Sequence, residues 1–262
     1  MVVVSRNLRS KLYLIGSGPG DPDLLTIKAY KILEKADVLL FDHLVNPEIL
    51  TIVPENCVKV YVGKEPYANF TPQESIHSLI EQYCRTYKCV VRLKGGDPYI
   101  FGRGFEELLF AEELGIEVEY IPGISSMQGA GFHNIPLTHR DVSDGIWALT
   151  GTKKDGRLSS DLQLAIQSNS TVVIYMGMKK LDEIARTYVM CGKGDTPAAI
   201  IQCATLPGQR EVVCEVADLL NASRDSGLSH PAIIVIGEVV RLYASNRNSF
   251  ILNDQLAKMK RN

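Results

Sequence analysis

Short aliphatic and β-branched runs recur along the chain, separated by stretches with apolar residues every three or four positions. The run KLYLIG at Lys11–Gly16 predicts a strand. The following segment, DPDLLTIKAYKILEKA, predicts a helix over 21–36 with Asp21 as cap and Pro22 at the first helical position. Leu25, Ala29, Ile32, Leu33 and Ala36 fall on one face of it. Further strands are predicted at Val38–Phe41, 57–63, 89–93 and 118–123. Between them, a helix over 71–87 starts with Thr71 and Glu74 at capping-box spacing, and another over 104–115 stops at Gly115.

A second series follows the polar stretch 138–145. Strands are predicted within 146–151, 170–177, 196–205 and 230–240, with helical segments such as 179–190 between some of them. The alternating segment QREVVCEV fits an added antiparallel strand. Strand–helix alternation throughout predicts an α/β fold of two lobes with mainly parallel sheets. The expected division is an N-terminal domain over 11–140, a C-terminal domain over 141–245 and a C-terminal tail over 246–262 that frays at its last residues, KMKRN.

Composition adds little to this picture and removes some functions from it. The 262 residues are 45% apolar and 22% charged, with a formal net charge of −2. No global basic field points to nucleic acid or an anionic membrane, so an anionic ligand has to be met by a local cluster of cations. None of the six cysteines forms a C-x-x-C pair or has a histidine at metal-ligand spacing, and most lie in apolar runs as small hydrophobes. No metal site is expected. The apolar stretch at the N-terminus is too short for a signal peptide and no later run spans a bilayer, so a soluble, cytoplasmic protein is expected.

Candidate chemistry gathers at the strand ends. Ligands of open parallel sheets bind beyond the carboxyl ends of the strands. GSGPGDP follows the first predicted strand, DHLV the second, GKEPY the third, KGGDPYIFGRG the fourth and PGISS the fifth; YMG and CAT end strands of the second lobe. Gly16, Gly18 and Gly20 are spaced unlike a dinucleotide fingerprint, and Pro19 lacks the N–H that a pyrophosphate would use. Asp42 nevertheless keeps a nicotinamide-dependent oxidoreductase open as an alternative. Gly95 and Gly96 let main-chain groups approach a ligand, Asp97 adds a carboxylate, and Arg103 lies between two glycines where no packing role requires it. Asp42 and Lys64 end successive strands and suit either a proton acceptor and donor or a rim ion pair.

The motifs GSGPGDPDLLT, FDHLV, GK at 63–64, RLKGGDPYIFGRGFEE, PGISS, IPLTHR and YMG occur in one order over residues 11–243. In this the chain resembles the uroporphyrinogen-III C-methyltransferases, members of the tetrapyrrole methylase group of S-adenosylmethionine-dependent enzymes. The resemblance implies two α/β domains with an active-site trough between them, in a homodimer. It implies that S-adenosylmethionine, with S-adenosylhomocysteine as product, is held by Pro19, Gly95, Gly96, Asp97, Ile100, Ser125, Ser126, Met176 and Ala204. Asp42 and Lys64 match the proton acceptor and donor, Arg103 and Glu106 match residues near the macrocycle, and Arg103, Arg140 and Met176 are implied to meet the substrate. The implied reaction adds two methyl groups to rings A and B of uroporphyrinogen III, giving precorrin-2 for sirohaem or cobalamin. A methylase of another tetrapyrrole intermediate is the nearest alternative. Ser125 and Ser126 replace a common Thr-Ala, Thr152 replaces a frequent histidine, and Phe132-His133-Asn134 precede the IPLTHR motif in place of small residues.

Overall fold

The computed structural model describes residues 10–63 and 72–243. It divides into two compact units, Met1–Ser126 and Met127–Asn262.

In the first unit, β1 (Lys11–Gly16), β2 (Val38–Phe41), β3 (Val58–Tyr61), β4 (Cys89–Lys94) and β5 (Glu117–Ile121) form one parallel sheet in the order β3-β2-β4-β1-β5. Side chains alternate across it, as the strand period requires. Ile15, Leu39, Val91 and Leu93 pack on one face with α1 (Ile27–Leu33) through Ala29 and Leu33. Leu12, Val38, Leu40 and Val90 pack on the other with α2 (Gln73–Cys84) and α3 (Gly104–Glu113), through Ile76, Ile80 and Ala111.

The helix expected over 21–36 is two pieces. Asp21 accepts the Asp23 N–H and starts a 3₁₀ turn at Pro22–Leu24, after which Leu25 and Thr26 are extended. Thr26 Oγ1 then accepts the Ala29 N–H at 3.1 Å and starts α1 anew. Two polar caps five residues apart, Asp21 and Thr26, give the chain a corner where periodicity alone gives a straight helix. Pro72 is the N-cap of α2, and Thr71 lies outside the described residues.

In the second unit, β6 (Ile146–Thr150), β7 (Thr171–Tyr175), β8 (Pro197–Gln202), β9 (Arg210–Glu215) and β10 (Ala232–Ile236) form a sheet in the order β6-β7-β10-β8-β9. The expectation of mainly parallel sheets holds for the first unit and fails here. Only β6 and β7 pair parallel; β7–β10, β10–β8 and β8–β9 are antiparallel. The 203–209 connection is too short for a crossover, which forces β9 back against β8 as its alternation suggested. Between β7 and β8, α5 (Leu181–Met190) packs with α4 (Leu162–Gln167) and α6 (Leu219–Ser226) over one face, through Leu162, Ile184, Tyr188 and Leu219. Ala130 and Ile135, both fully buried, cover the other face with Val173, Ile201, Val235 and Val240. That packing carries the segment from Met127 into the second unit, ahead of the division expected at the polar stretch.

The described cysteines are free. Burial pushes the thiols of Cys84, Cys89 and Cys214 up to about 11, as for packing residues. Among the described residues no group of acids, histidines and cysteines is placed to hold a metal ion, and no helix is long and apolar enough to cross a membrane.

Candidate active site

The carboxyl rim of the first sheet is built from main chain. β1 and β4 lie side by side and both run into glycine turns. The ladder continues past the strands: the Ser17 N–H donates to Lys94 O at 2.8 Å, and Gly18 and Gly96 exchange N–H···O bonds of 3.2 and 2.8 Å. The loop after β5 closes on the same point. A Cβ on Gly123 would lie 2.2 Å from Gly96 O, and one on Gly16 2.5 Å from Gly123 N. Three loops therefore meet backbone to backbone, which only glycine allows. Gly96 has φ +66°, and a Cβ on Gly95 would lie 2.7 Å from Leu44 Cβ in the loop after β2.

Asp97 fixes this arrangement. Its Oδ1 accepts the Tyr99 N–H at 2.8 Å, and its Oδ2 accepts the Tyr120 hydroxyl at 2.6 Å and the Gly123 N–H at 3.1 Å. One buried carboxylate thus ties the β4 turn to β5 and to the loop beyond it. Burial first, then the bond to Asp97, hold the Tyr120 hydroxyl above the ordinary tyrosine range. The Tyr120 ring stacks on Tyr99 at 4.0 Å between centroids. Ile100 follows, 39% exposed, in a tight loop closed by Gly104 N–H to Pro98 O. Ser125 is buried and Ser126 half-buried, with its Oγ over the Gly96 turn; Pro19 is half-buried on the β1 loop. The rim therefore brings together six of the cofactor positions expected from sequence and holds Asp97 beneath them.

Under the same rim lies a cluster of charge that sequence reading did not single out. Arg92 and Lys94 alternate along β4 on the face toward α3, where Glu107 is fully buried. Glu107 Oε1 accepts Arg92 Nε at 3.3 Å, Lys94 Nζ at 3.0 Å and Gln73 Nε2 at 3.3 Å, and its Oε2 has no hydrogen-bond partner among the described residues. Arg92 Nη1 donates to Leu93 O at 2.9 Å, and Arg92 Nη2 lies 3.6 Å from Asp42 Oδ2. Burial, and then the Arg92 charge, lower the Lys94 ammonium from its ordinary value, with Glu107 opposing both. The signal was present in sequence: two cations at period two in an apolar strand, and Glu107 in helical register with Gly104 and Ala111.

Asp42 follows β2, partly exposed, with its Oδ1 accepting the Leu44 N–H at 3.2 Å. Lys64 lies outside the described residues. Arg103 and Glu106 are each about half exposed and bound to one another, Arg103 Nη2 to Glu106 Oε2 at 2.6 Å. Arg103 and Phe101 are in the left-handed region at φ 59° and 54°, a strain concentrated at the candidate site.

The second unit shows the same habit at its own strand ends. Met176 follows β7 at φ 54° and is 52% exposed, and its carbonyl accepts the Thr152 hydroxyl at 3.1 Å. Ala204 stands after β8 between Cys203 and Thr205, at φ 50° and 72°. Gly129 packs against it, where a Cβ would lie 2.7 Å from Ala204 Cβ. Arg140 is exposed in the His139–Ser143 turn.

The first unit is a parallel sheet with a bare glycine rim, and the second is a mixed sheet with strained residues at its own strand ends. The chain belongs to the tetrapyrrole (corrin/porphyrin) methylases, whose family pattern matches residues 11–220. Among relatives, it is 44% identical over 236 residues to the uroporphyrinogen-III C-methyltransferase of Bacillus subtilis, covering 89% of this chain and 92% of that protein. It is 43% identical over 233 residues to the siroheme synthase of Chromobacterium violaceum, covering 88% of this chain and 50% of that protein. The chain thus spans about half the length of the siroheme synthases it matches. In structure it is similar to the uroporphyrin-III C-methyl transferase of Thermus thermophilus complexed with S-adenosyl homocysteine. That match has a TM-score of 0.77 at 38% identity and covers 89% of this chain and all of that one.

Proposed function

We propose that the chain is an S-adenosylmethionine-dependent uroporphyrinogen-III C-methyltransferase, adding two methyl groups to rings A and B to give precorrin-2 and S-adenosylhomocysteine. The observation that carries this reading is the glycine rim at Gly16, Gly96 and Gly123, locked by Asp97. A nucleoside with a sulfonium needs main-chain donors and acceptors and close approach, with no strong counter-charge, and this rim supplies them. The relatives' names and the S-adenosyl homocysteine complex support the same ligand and substrate.

When bound, S-adenosylmethionine supplies an activated methyl carried on positively charged sulfur. The chain's part is to hold donor and acceptor in line and keep water out. Pro19, Gly95, Gly96, Asp97, Ile100, Ser125 and Ser126 are the proposed cofactor positions of the first unit, with Met176 and Ala204 from the second. Attack by an electron-rich pyrrole carbon builds positive charge on the macrocycle, which the carboxylate of Asp42 stabilises before it accepts the proton. Lys64 is proposed as donor. Arg103 and Arg140 are suited to the acetate and propionate arms by the planar fork of the guanidinium. Glu106, bound to Nε and Nη2 of Arg103, orients that guanidinium near the macrocycle. A cytoplasmic homodimer that needs no metal completes the proposal.

Anaerobic incubation of uroporphyrinogen III with S-adenosylmethionine labelled on its methyl group tests it. Label is expected in the tetrapyrrole with the intact chain, and none with Asp42→Ala at unchanged affinity for S-adenosylhomocysteine. Label transfer undiminished by that substitution removes Asp42 from the chemistry.

A further inference from the structure

Glu107 has no place in the functional assignment above, yet it is fully buried beneath the rim. A lone buried carboxylate is costly, and this one is met by two cations that are buried as well, Arg92 at 2% and Lys94 at 6% exposure. Three donors converge on Oε1, while Oε2 has no hydrogen-bond partner among the described residues. Such a cluster is a poor way to stabilise a fold, since apolar residues of similar volume serve as well or better. Its geometry has one outlet. Arg92 is held by Nε on Glu107 and by Nη1 on Leu93 O and Leu40 O, which leaves Nη2, 3.6 Å from Asp42 Oδ2, as the nitrogen that pairs with Asp42.

We propose that Glu107, with Lys94, is a positioning residue for Asp42, acting through Arg92. This rests on the reading of Asp42 as the group that meets the reacting macrocycle. Glu107 fixes the guanidinium, and the guanidinium together with the Leu44 N–H fixes both oxygens of the Asp42 carboxylate. Two buried cations share a single fully buried acid, so the set is short of negative charge until Asp42 is counted. Removing the acid therefore draws Arg92 toward Asp42 and weakens the carboxylate as a partner for charge developing on substrate. Removing Lys94 along with it restores the balance.

The test compares the parent chain with Glu107→Gln and with Glu107→Gln/Lys94→Met, by steady-state methyl transfer and by S-adenosylhomocysteine titration. Glu107→Gln is expected to lower kcat about tenfold while KM for the tetrapyrrole and the affinity for S-adenosylhomocysteine stay within about twofold. The double variant is expected to recover most of that loss. Unchanged kcat in the folded single variant overturns the proposal. So does a fall in S-adenosylhomocysteine affinity equal to that in kcat, which marks a structural role. A double variant no faster than the single overturns the charge argument and the proposal with it. A parent chain that binds S-adenosylhomocysteine but transfers no methyl to the tetrapyrrole overturns the functional reading instead, and takes this inference down by that separate route.

Discussion

Asp97 and Glu107 are buried acids ten residues apart under one rim, and they are satisfied in opposite ways. Asp97 spreads three neutral donors over both oxygens, two from main chain and one from a tyrosine. Glu107 gathers two cations and an amide on one oxygen and leaves the other without a hydrogen-bond partner among the described residues. A carboxylate satisfied by neutral groups behaves as a staple: it fixes the shape of a turn and adds little field beyond it. A carboxylate satisfied by ions sets charge, and any change to it is felt by the next charged group along. The first arrangement suits a surface that must fit a ligand. The second suits the orientation of one reacting side chain.

If Asp97 is the staple, breaking it has the largest effect. Asp97→Ala leaves the Tyr120 hydroxyl and the Gly123 N–H without an acceptor and is expected to cost about 3 kcal/mol of stability. Loosening the turn is expected to slow methyl transfer about a hundredfold as well. Denaturant unfolding and steady-state kinetics check the two separately. Next comes Gly123→Ala, whose new methyl meets Gly96 O at 2.2 Å. A cost of about 2 kcal/mol is expected, with weakened S-adenosylhomocysteine binding by calorimetry. Should the rim accept this methyl without loss, the backbone-to-backbone picture fails.

Tyr120→Phe removes one of the three donors and is expected to cost about 1 kcal/mol at neutral pH. The pH dependence sharpens it. The Tyr120 hydroxyl is raised in the fold, so its share of stability is complete below the unfolded tyrosine value of about 10 and is lost as pH climbs past it. Thermal melts above pH 10 should therefore fall more steeply for the parent than for Tyr120→Phe. The smallest stability effect is expected at the exposed Arg103–Glu106 pair, where Arg103→Ala should stay within about 0.5 kcal/mol. Its methyl transfer should nonetheless fall about tenfold, through KM for the tetrapyrrole.

Strands and the rim were legible in sequence because both are local: β-branched runs mark the strands, and glycine, proline and acid mark the turns after them. What was missed is non-local. Nothing within 170–240 states which strand lies beside which, so β10 settling antiparallel between β7 and β8 had no local signature. Tyr120 and Gly123, which bond to Asp97, are more than twenty residues on, so this staple had no local signature. The resemblance points to Glu106, which is half exposed, and says nothing of Glu107, which helical register puts inward with Ala111. The break at Thr26 was overridden by an apolar face that continued past it.

The most direct measurement is the product mass after anaerobic reaction of uroporphyrinogen III with S-adenosylmethionine bearing a deuterated methyl. Two labelled methyls per macrocycle are predicted, through a singly labelled intermediate. An unchanged macrocycle, with S-adenosylhomocysteine still bound by the folded chain, contradicts the assignment.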